Sequence, residues 1–275
     1  MRFALALPGR VLLAALCLAL PACSTAPAPS AQAPGEPCDV DLRLDRGQVA
    51  ACEVRTLTLD RSDLALDASP NGGIEVSTWD RPTVEVQARV VAVAPSRAEA
   101  ERRVAATRVT TGSTVRAELP DADEGWTSVE FTARVPRDAA LELDAVNGQI
   151  AVRGVRGAVR ASSVNGQVVL DDVGSAVEAR TVNGRVEVVL SGVARGRVDV
   201  STVNGSAEVA VPARYAADVD LRSTMGSVRV RGLDLPEPAC EPAHACRGQI
   251  RGALGGGGPG LSVSTTNGSV LLRRR

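Results

Sequence analysis

From residue 141 onward, apolar and polar residues alternate in short runs separated by Asn-Gly. After each Gly, the second and fourth residues are apolar: Ile150, Val168, Val186, Ala207, Val228 and Val270, then Val152, Leu170, Val188, Val209, Val230 and Leu272. Before each Asn-Gly lie two more apolar columns. One is Leu141, Val159, Val177, Val198, Val219 and Leu261; the other is Leu143, Ala161, Ala179, Val200, Leu221 and Val263. A third column is small and often hydroxylated: Ala145, Ser163, Thr181, Thr202, Ser223 and Thr265. A period of two predicts strands with one buried face.

The Asn-Gly sites set the repeat. They are Asn147-Gly148, Asn165-Gly166, Asn183-Gly184, Asn204-Gly205, the degenerate Met225-Gly226, and Asn267-Gly268, spaced by 18, 18, 21, 21 and 42 residues. The last gap is twice 21 and carries an insertion over 234–260. Two strands per repeat at near-constant spacing predict an all-β fold, a right-handed parallel β-solenoid of 18–21 residues per rung. Asn-Gly supplies the corner, because both residues tolerate positive φ, and stacked Asn side chains can bond along the axis. Hairpins would use the same dipeptide, but would not keep four apolar columns in step. Six rungs at ~4.8 Å stack to roughly 30 Å.

The N-terminal half shows the pattern more weakly, in Leu64, Leu66, Asn71-Gly72, Ile74, Val76, Val84 and Val86. Ser96-Arg97-Ala98-Glu99 is a capping box opening a short helix over 96–106, with Glu99 and Arg103 at i, i+4. Strands are expected near 107–111, 114–119 and 127–135. Residues 39–275 thus read as one domain. Arg273-Arg274-Arg275 would guard the last strand edge.

The first residues read as an address. Arg2 and Arg10 supply positive charge ahead of a short apolar stretch at 11–20, too brief to span a bilayer. Leu20-Pro21-Ala22-Cys23 resembles a bacterial lipobox, with Pro21 replacing the usual small residue; this implies a signal over 1–22 and lipid on Cys23. An ordinary secretory signal cut near Ala22 is the alternative. Residues 23–38, rich in Pro, Ala and Ser, read as a tether. Ser24 after Cys23, with no Asp, implies the outer membrane if the host has one. The membrane is then a partner through the N-terminal lipid.

Composition narrows the rest. Net charge is −1, every Lys-or-Arg position is Arg, and the aromatics are Phe3, Trp79, Trp126, Phe131 and Tyr215. Neither a field for nucleic acid nor a base-stacking surface results, and no Lys is available for catalysis. Cys38/Cys52 and Cys240/Cys246 are disulfide candidates in an oxidising compartment. A metal at Cys240, His244 and Cys246 is the minor reading; neither metal nor other cofactor is expected.

Trp79-Asp80-Arg81-Pro82 after Gly-Gly-Ile-Glu-Val-Ser-Thr, the Val-Pro steps at 135–136 and 211–212, and the serial Val-Asn-Gly units resemble the bacterial putative-adhesin family, whose repeats are also called toastrack domains. The resemblance covers about 60–275. It implies an exported or membrane-anchored β-solenoid, and the family brings no catalytic residues to carry over. The expected function is therefore a non-enzymatic envelope lipoprotein presenting a binding surface to a protein or glycan. A signalling or envelope-stress accessory is the alternative, and a glycan-acting enzyme the third reading.

An enzyme would need converging carboxylates. The best candidate is the outward column Glu142, Arg160, Glu178, Asp199, Asp220, in which Asp199 and Asp220 are expected as neighbours flanked by Arg197 and Arg222. A solvated, salt-laced wall is the plainer reading. Asp171-Asp172 fall at a predicted corner, Gly255–Gly258 read as a flexible loop, and Val169 and Val189 as an apolar patch on the opposite wall. His244 is the only His, with no nucleophile-elbow sequence to serve.

Overall fold

Alternation becomes strand wherever the apolar set can face a neighbouring layer. In the computed structural model the described residues are 36–38, 44, 47–119, 125–192, 194–235 and 246–275, with backbone alone at 36–37 and 246–247. In chain order the strands are β1 (Glu36–Pro37), β2 (Val49–Leu59), β3 (Leu64–Asp67), β4 (Ile74–Trp79) and β5 (Val84–Ala94). Then come α1 (Arg97–Ala106), β6 (Arg108–Thr111), β7 (Thr114–Glu118), β8 (Trp126–Pro136), β9 (Leu141–Asn147), β10 (Ile150–Arg153), β11 (Val159–Asn165) and β12 (Val168–Val173). The last are β13 (Val177–Asn183), β14 (Val186–Leu190), β15 (Val198–Asn204), β16 (Ala207–Val211), β17 (Ala217–Arg231), β18 (Cys246–Leu254) and β19 (Gly260–Arg274).

They form a large, mostly parallel sheet that does not close into a barrel. One parallel ladder runs β7, β3, β9, β11, β13, β15, β19, β17. The other runs β8, β4, β10, β12, β14, β16, β19, β17. From β9 to β16 the chain passes from the first ladder to the second at each Asn-Gly. β17 and β19 are long enough to run through both.

The columns read from the sequence hold their register: Val159 sits opposite Leu141 and Val177, and Val168 opposite Ile150 and Val186. All four apolar columns are buried except Val230, and they join one continuous core. Each buried Val, Leu or Ile of these columns contributes ~1.5–3 kcal/mol of gross burial. Residues 34–275 form one unit.

The N-terminal part is built differently. β2, β5 and β8 are antiparallel, and β1 adds antiparallel to β2. Helix α1 starts at Ser96, whose Oγ accepts the Glu99 N–H at 3.3 Å, and Glu99 pairs with Arg103 at 3.2 Å. At its far end the buried Arg55 donates to the carbonyls of Val104 (2.8 Å) and Thr107. A guanidinium there satisfies carbonyls the helix leaves unpaired.

Four expectations are corrected. β19 lies between β15/β16 and β17, so Ser262 separates Asp199 from Asp220 and those carboxylates are not neighbours. Arg273–Arg275 therefore guard no edge: Arg273 pairs with Glu208 at 2.6 Å, and the Arg275 N–H donates to the Val211 carbonyl at 2.8 Å. The 234–260 insertion is not all loop, since β18 forms within it and runs antiparallel to β17. Finally, Gly255–Gly258 are not free: Gly255 and Gly258 lie close against the backbone of Tyr215 and Ala216 at the start of β17.

Candidate functional site

The Asn-Gly corner is held by close packing rather than by left-handed Asn. Asp172 (φ 55°) is the one non-Gly residue at positive φ among the described residues. A Cβ on Gly148, Gly166, Gly184, Gly205, Gly268 or Gly226 would overlap the carbonyl oxygen of the Gly on the adjoining strand. The column of small hydroxyls uses the same carbonyls. Ser163, Thr181, Thr202, Thr265 and Ser223 donate to the oxygens of Gly148, Gly166, Gly184, Gly205 and Gly268 at 2.9–3.1 Å.

Outside the glycines stands a ladder of Asn side chains. Each Nδ2 donates to the Oδ1 of the preceding strand: Asn147 to Asn71 at 3.1 Å, Asn165 to Asn147 at 2.9 Å, Asn183 to Asn165 at 2.8 Å, Asn204 to Asn183 at 2.9 Å, and Asn267 to Asn204 at 2.8 Å. Met225 occupies the next place, and among the described residues Asn267 Oδ1 has no donor. Beside this ladder Val164, Val182 and Val203 stand exposed, at 39–41%. They precede each Asn and are more exposed than Val169 and Val189, the valines singled out from the sequence.

The outer face of the first ladder carries a groove of about 680 Å³. Ala140, Ala158 and Ala176, each the residue just before a strand of the ladder, line it and are exposed. Glu142, Arg160, Glu178 and Asp199 form its side; Asp63 and Arg197 stand at its ends. These are the outward-column residues expected from the sequence, less Asp220, which β19 moves away.

Charge along this side is mostly satisfied internally. Glu178 takes both Arg160 (3.0 Å) and Arg180 (2.8 Å), and Asp199 faces Arg197 at 3.8 Å. Among the described residues, Glu142 takes part in none of the ion pairs along this side. Beyond it, Asp144 lies in register with Asp67. Burial, then the charges of Asp67 and Glu142, push the Asp144 carboxyl above its usual range, against the pull of Arg160. Asp67 and Asp144 were missed as a pair, although Leu-Ala-Leu-Asp at 64–67 and Leu-Glu-Leu-Asp at 141–144 announce it.

Asp220 shows the opposite electrostatics. Arg222 donates to it twice, at 3.0 and 2.7 Å, and with Gln249 and Arg251 holds its carboxyl far below the usual range, against some desolvation. Asp172 binds Arg156 at 3.0 Å and Arg275 at 3.1 Å.

Cys38 and Cys52 are joined by a disulfide. Cys23, Cys240 and His244 lie outside the described residues, and Cys246 contributes backbone only, opposite Val228. Among the described residues no group of three or more His, Cys, Asp or Glu is placed to hold a metal ion, and no helix is long and apolar enough to cross a membrane.

The motif residues at 79–82 close a turn: Trp79 Nε1 donates to the Thr83 carbonyl at 2.8 Å, and the Arg81 guanidinium lies 4.8 Å from the Trp79 ring centroid. The two Val-Pro steps make matching turns, with the Pro136 and Pro212 carbonyls accepting from Ala139 and Tyr215 at 3.1 Å.

No family model matches the chain, and no curated protein matches it. Among solved structures it is similar to a putative cell adhesion protein from Clostridium sporogenes ATCC 15579, at 11% identity and TM-score 0.47, over 82% of this chain and 100% of that one. It is also similar to a putative adhesin from Bacteroides fragilis NCTC 9343, at 11% identity and TM-score 0.34, over 81% of this chain and 97% of that one.

Proposed function

We propose that this chain is a non-enzymatic lipoprotein of the cell envelope, anchored through Cys23, whose right-handed parallel β-solenoid presents a surface for binding or adhesion. The observation that carries the reading is the groove side. Glu178 and Asp199 are held in ion pairs, and exposed pairs of this kind are individually weak, near 0–1 kcal/mol. They can be re-paired by a partner at little cost. General acid–base work asks instead for a carboxyl set apart by its environment within a cleft. Asp144 has the raised carboxyl, yet neither it nor Asp67 lines the groove.

The experiment offers residues 34–275 to a glycan array and to detergent extracts of envelope, with a turnover assay on whatever is retained. Capture without turnover, weakened by Arg160→Glu, supports the reading and names the partner class. Release of shortened glycans would replace it with an enzyme. Capture of a membrane protein alone would favour a signalling accessory. For the anchor, Cys23→Ser should move the full chain from the membrane fraction to the soluble fraction; retention in the membrane would overturn it.

A further inference from the structure

The strand order at the end of the parallel ladders departs from the sequence order. β17 follows β16 in the chain, but β19 occupies the place beside β15 and β16, and β17 lies beyond it. β19 is thus a central strand, paired on both sides along almost its whole length, and it enters a slot whose two walls precede it in the chain.

Two features of the slot select β19 over β17. β19 brings Asn267, whose Nδ2 continues the Asn ladder, whereas β17 would bring Met225. β19 also sets Ser262 beside Asp199, whereas β17 would set Asp220 there, a like-charge pair. Thr265, bonded to the Gly205 carbonyl, and Arg273, paired with Glu208, complete the match. None of these groups depends on which molecule supplies the strand.

What depends on the molecule is the crossover. Leu254, ending β18, lies opposite Ala217, and Gly260, opening β19, lies beside Asp218 on the other side of β17. Residues 255–259 must bridge two strand spacings, ~10 Å, over the start of β17. A Cβ on Gly255 would come 2.7 Å from the Tyr215 carbonyl oxygen, and one on Gly258 3.0 Å from that of Ala216. Gly255, Gly256 and Gly257 have φ of +61°, +92° and +85°, values that only Gly adopts freely. Intramolecular closure therefore rests on this glycine run, while the pairing of β19 does not.

We propose that β19 is an exchangeable strand: the slot between β15/β16 and β17 takes Gly260–Arg274 from a second copy of this chain, so that copies join by reciprocal strand exchange. All pairings of the closed form are kept in the exchanged form, and only the crossover opens, which makes exchange a low-cost route to a dimer. The partner is fixed as a second copy because the slot reads Asn267, Thr265 and Arg273 together in one register.

The test uses two full-length chains, one Ser201→Cys and the other Ser264→Cys, positions that face each other across β15 and β19. They are refolded as an equimolar mixture and oxidised, and linked peptides are identified by mass. Exchange predicts a 201–264 link between the two different chains. Its fraction should rise about tenfold with a tenfold rise in refolding concentration while it is the minor product. A companion full chain, Gly255→Val with Gly258→Val, should double in mass by light scattering while keeping its strand signal. No mixed link at any concentration overturns the proposal, whether or not the companion folds. So does a folded companion that remains monomeric.

Discussion

β9–β16 and the long strands β17 and β19 are written with one sequence unit and assembled by two rules. In β9–β16, strand order follows chain order, every corner has its Asn, and each strand accepts the next at 18 or 21 residues. In β17–β19, order is inverted. The two regions differ at single positions: Met225 stands in place of Asn, and Asp220 would be the neighbour of Asp199 if β17 held the place of β19. A repeat of apolar columns specifies that strands stack. The polar positions at the corner and on the outer face decide which strand stacks on which.

The sharpest way to break the comparison is to fill a corner. Gly166→Val, at a corner glycine without positive φ, drives a Cβ into the Gly148 carbonyl, a backbone atom with no room to yield. The cost should be about 3 kcal/mol, the upper end for overpacking, read from denaturant midpoints. Gly192→Val, where nothing lies within 4 Å, should stay within about 0.5 kcal/mol. Equal losses would mean that close approach is not what the corner glycines serve.

Next in size is the hydroxyl column. Thr202→Val keeps shape and removes the donor to the Gly184 carbonyl, for an expected loss of about 1 kcal/mol. Ser223→Ala, which bonds to Gly268 across the inverted pair, should cost a similar amount if the two regions share the device.

Met225→Asn should work the other way. It gives Asn267 Oδ1 the donor it lacks and extends the ladder, for a gain of about 0.5–1 kcal/mol. It also weakens the distinction between β17 and β19, so mixed strand order in hydrogen exchange would show that Met225 enforces the inversion. A melting temperature unchanged from the parent would count against the ladder as a source of stability.

The smallest effects separate the two regions by the sign of their pH dependence. Asp144, at the start of the orderly region, is raised in the fold. Its folded form holds the proton more tightly, so its contribution favours the fold at low pH and is lost as pH rises through the folded value. Asp220, in the inverted region, is depressed; its contribution is present above the ordinary carboxylate range and lost as pH falls toward the folded value. Asp144→Asn should therefore improve stability at neutral pH relative to pH 4, and Asp220→Asn should reduce it. Parallel pH curves for the two variants would refute the assignment.

Much of this was legible because period-two burial is local: Leu141, Val159 and Val177 align by counting. The capping box at Ser96–Glu99 was equally readable, since its bond spans three residues. The groove side was legible as a column of charges, from Glu142 through Asp199. That Ala140, Ala158 and Ala176 line the same groove was not, because small residues carry no chemistry until neighbouring strands bring them together. The role of Gly255–Gly258 was also hidden, since a glycine run looks the same whether it is loose or pressed against the backbone of Tyr215 and Ala216.

The sequence by itself determined that strands stack in parallel, where the chain turns, and which residues face inward, because apolar burial repeats with fixed period and needs no knowledge of distant partners. Only the tertiary structure decided that β19 precedes β17 in space, that Asp199 and Asp220 are kept apart, and that the corner glycines serve close contact as well as turning. Those outcomes depend on bonds between residues far apart in the chain, such as Asn204 with Asn267, 63 positions away. Competing strands with equal apolar columns are separated only by such bonds.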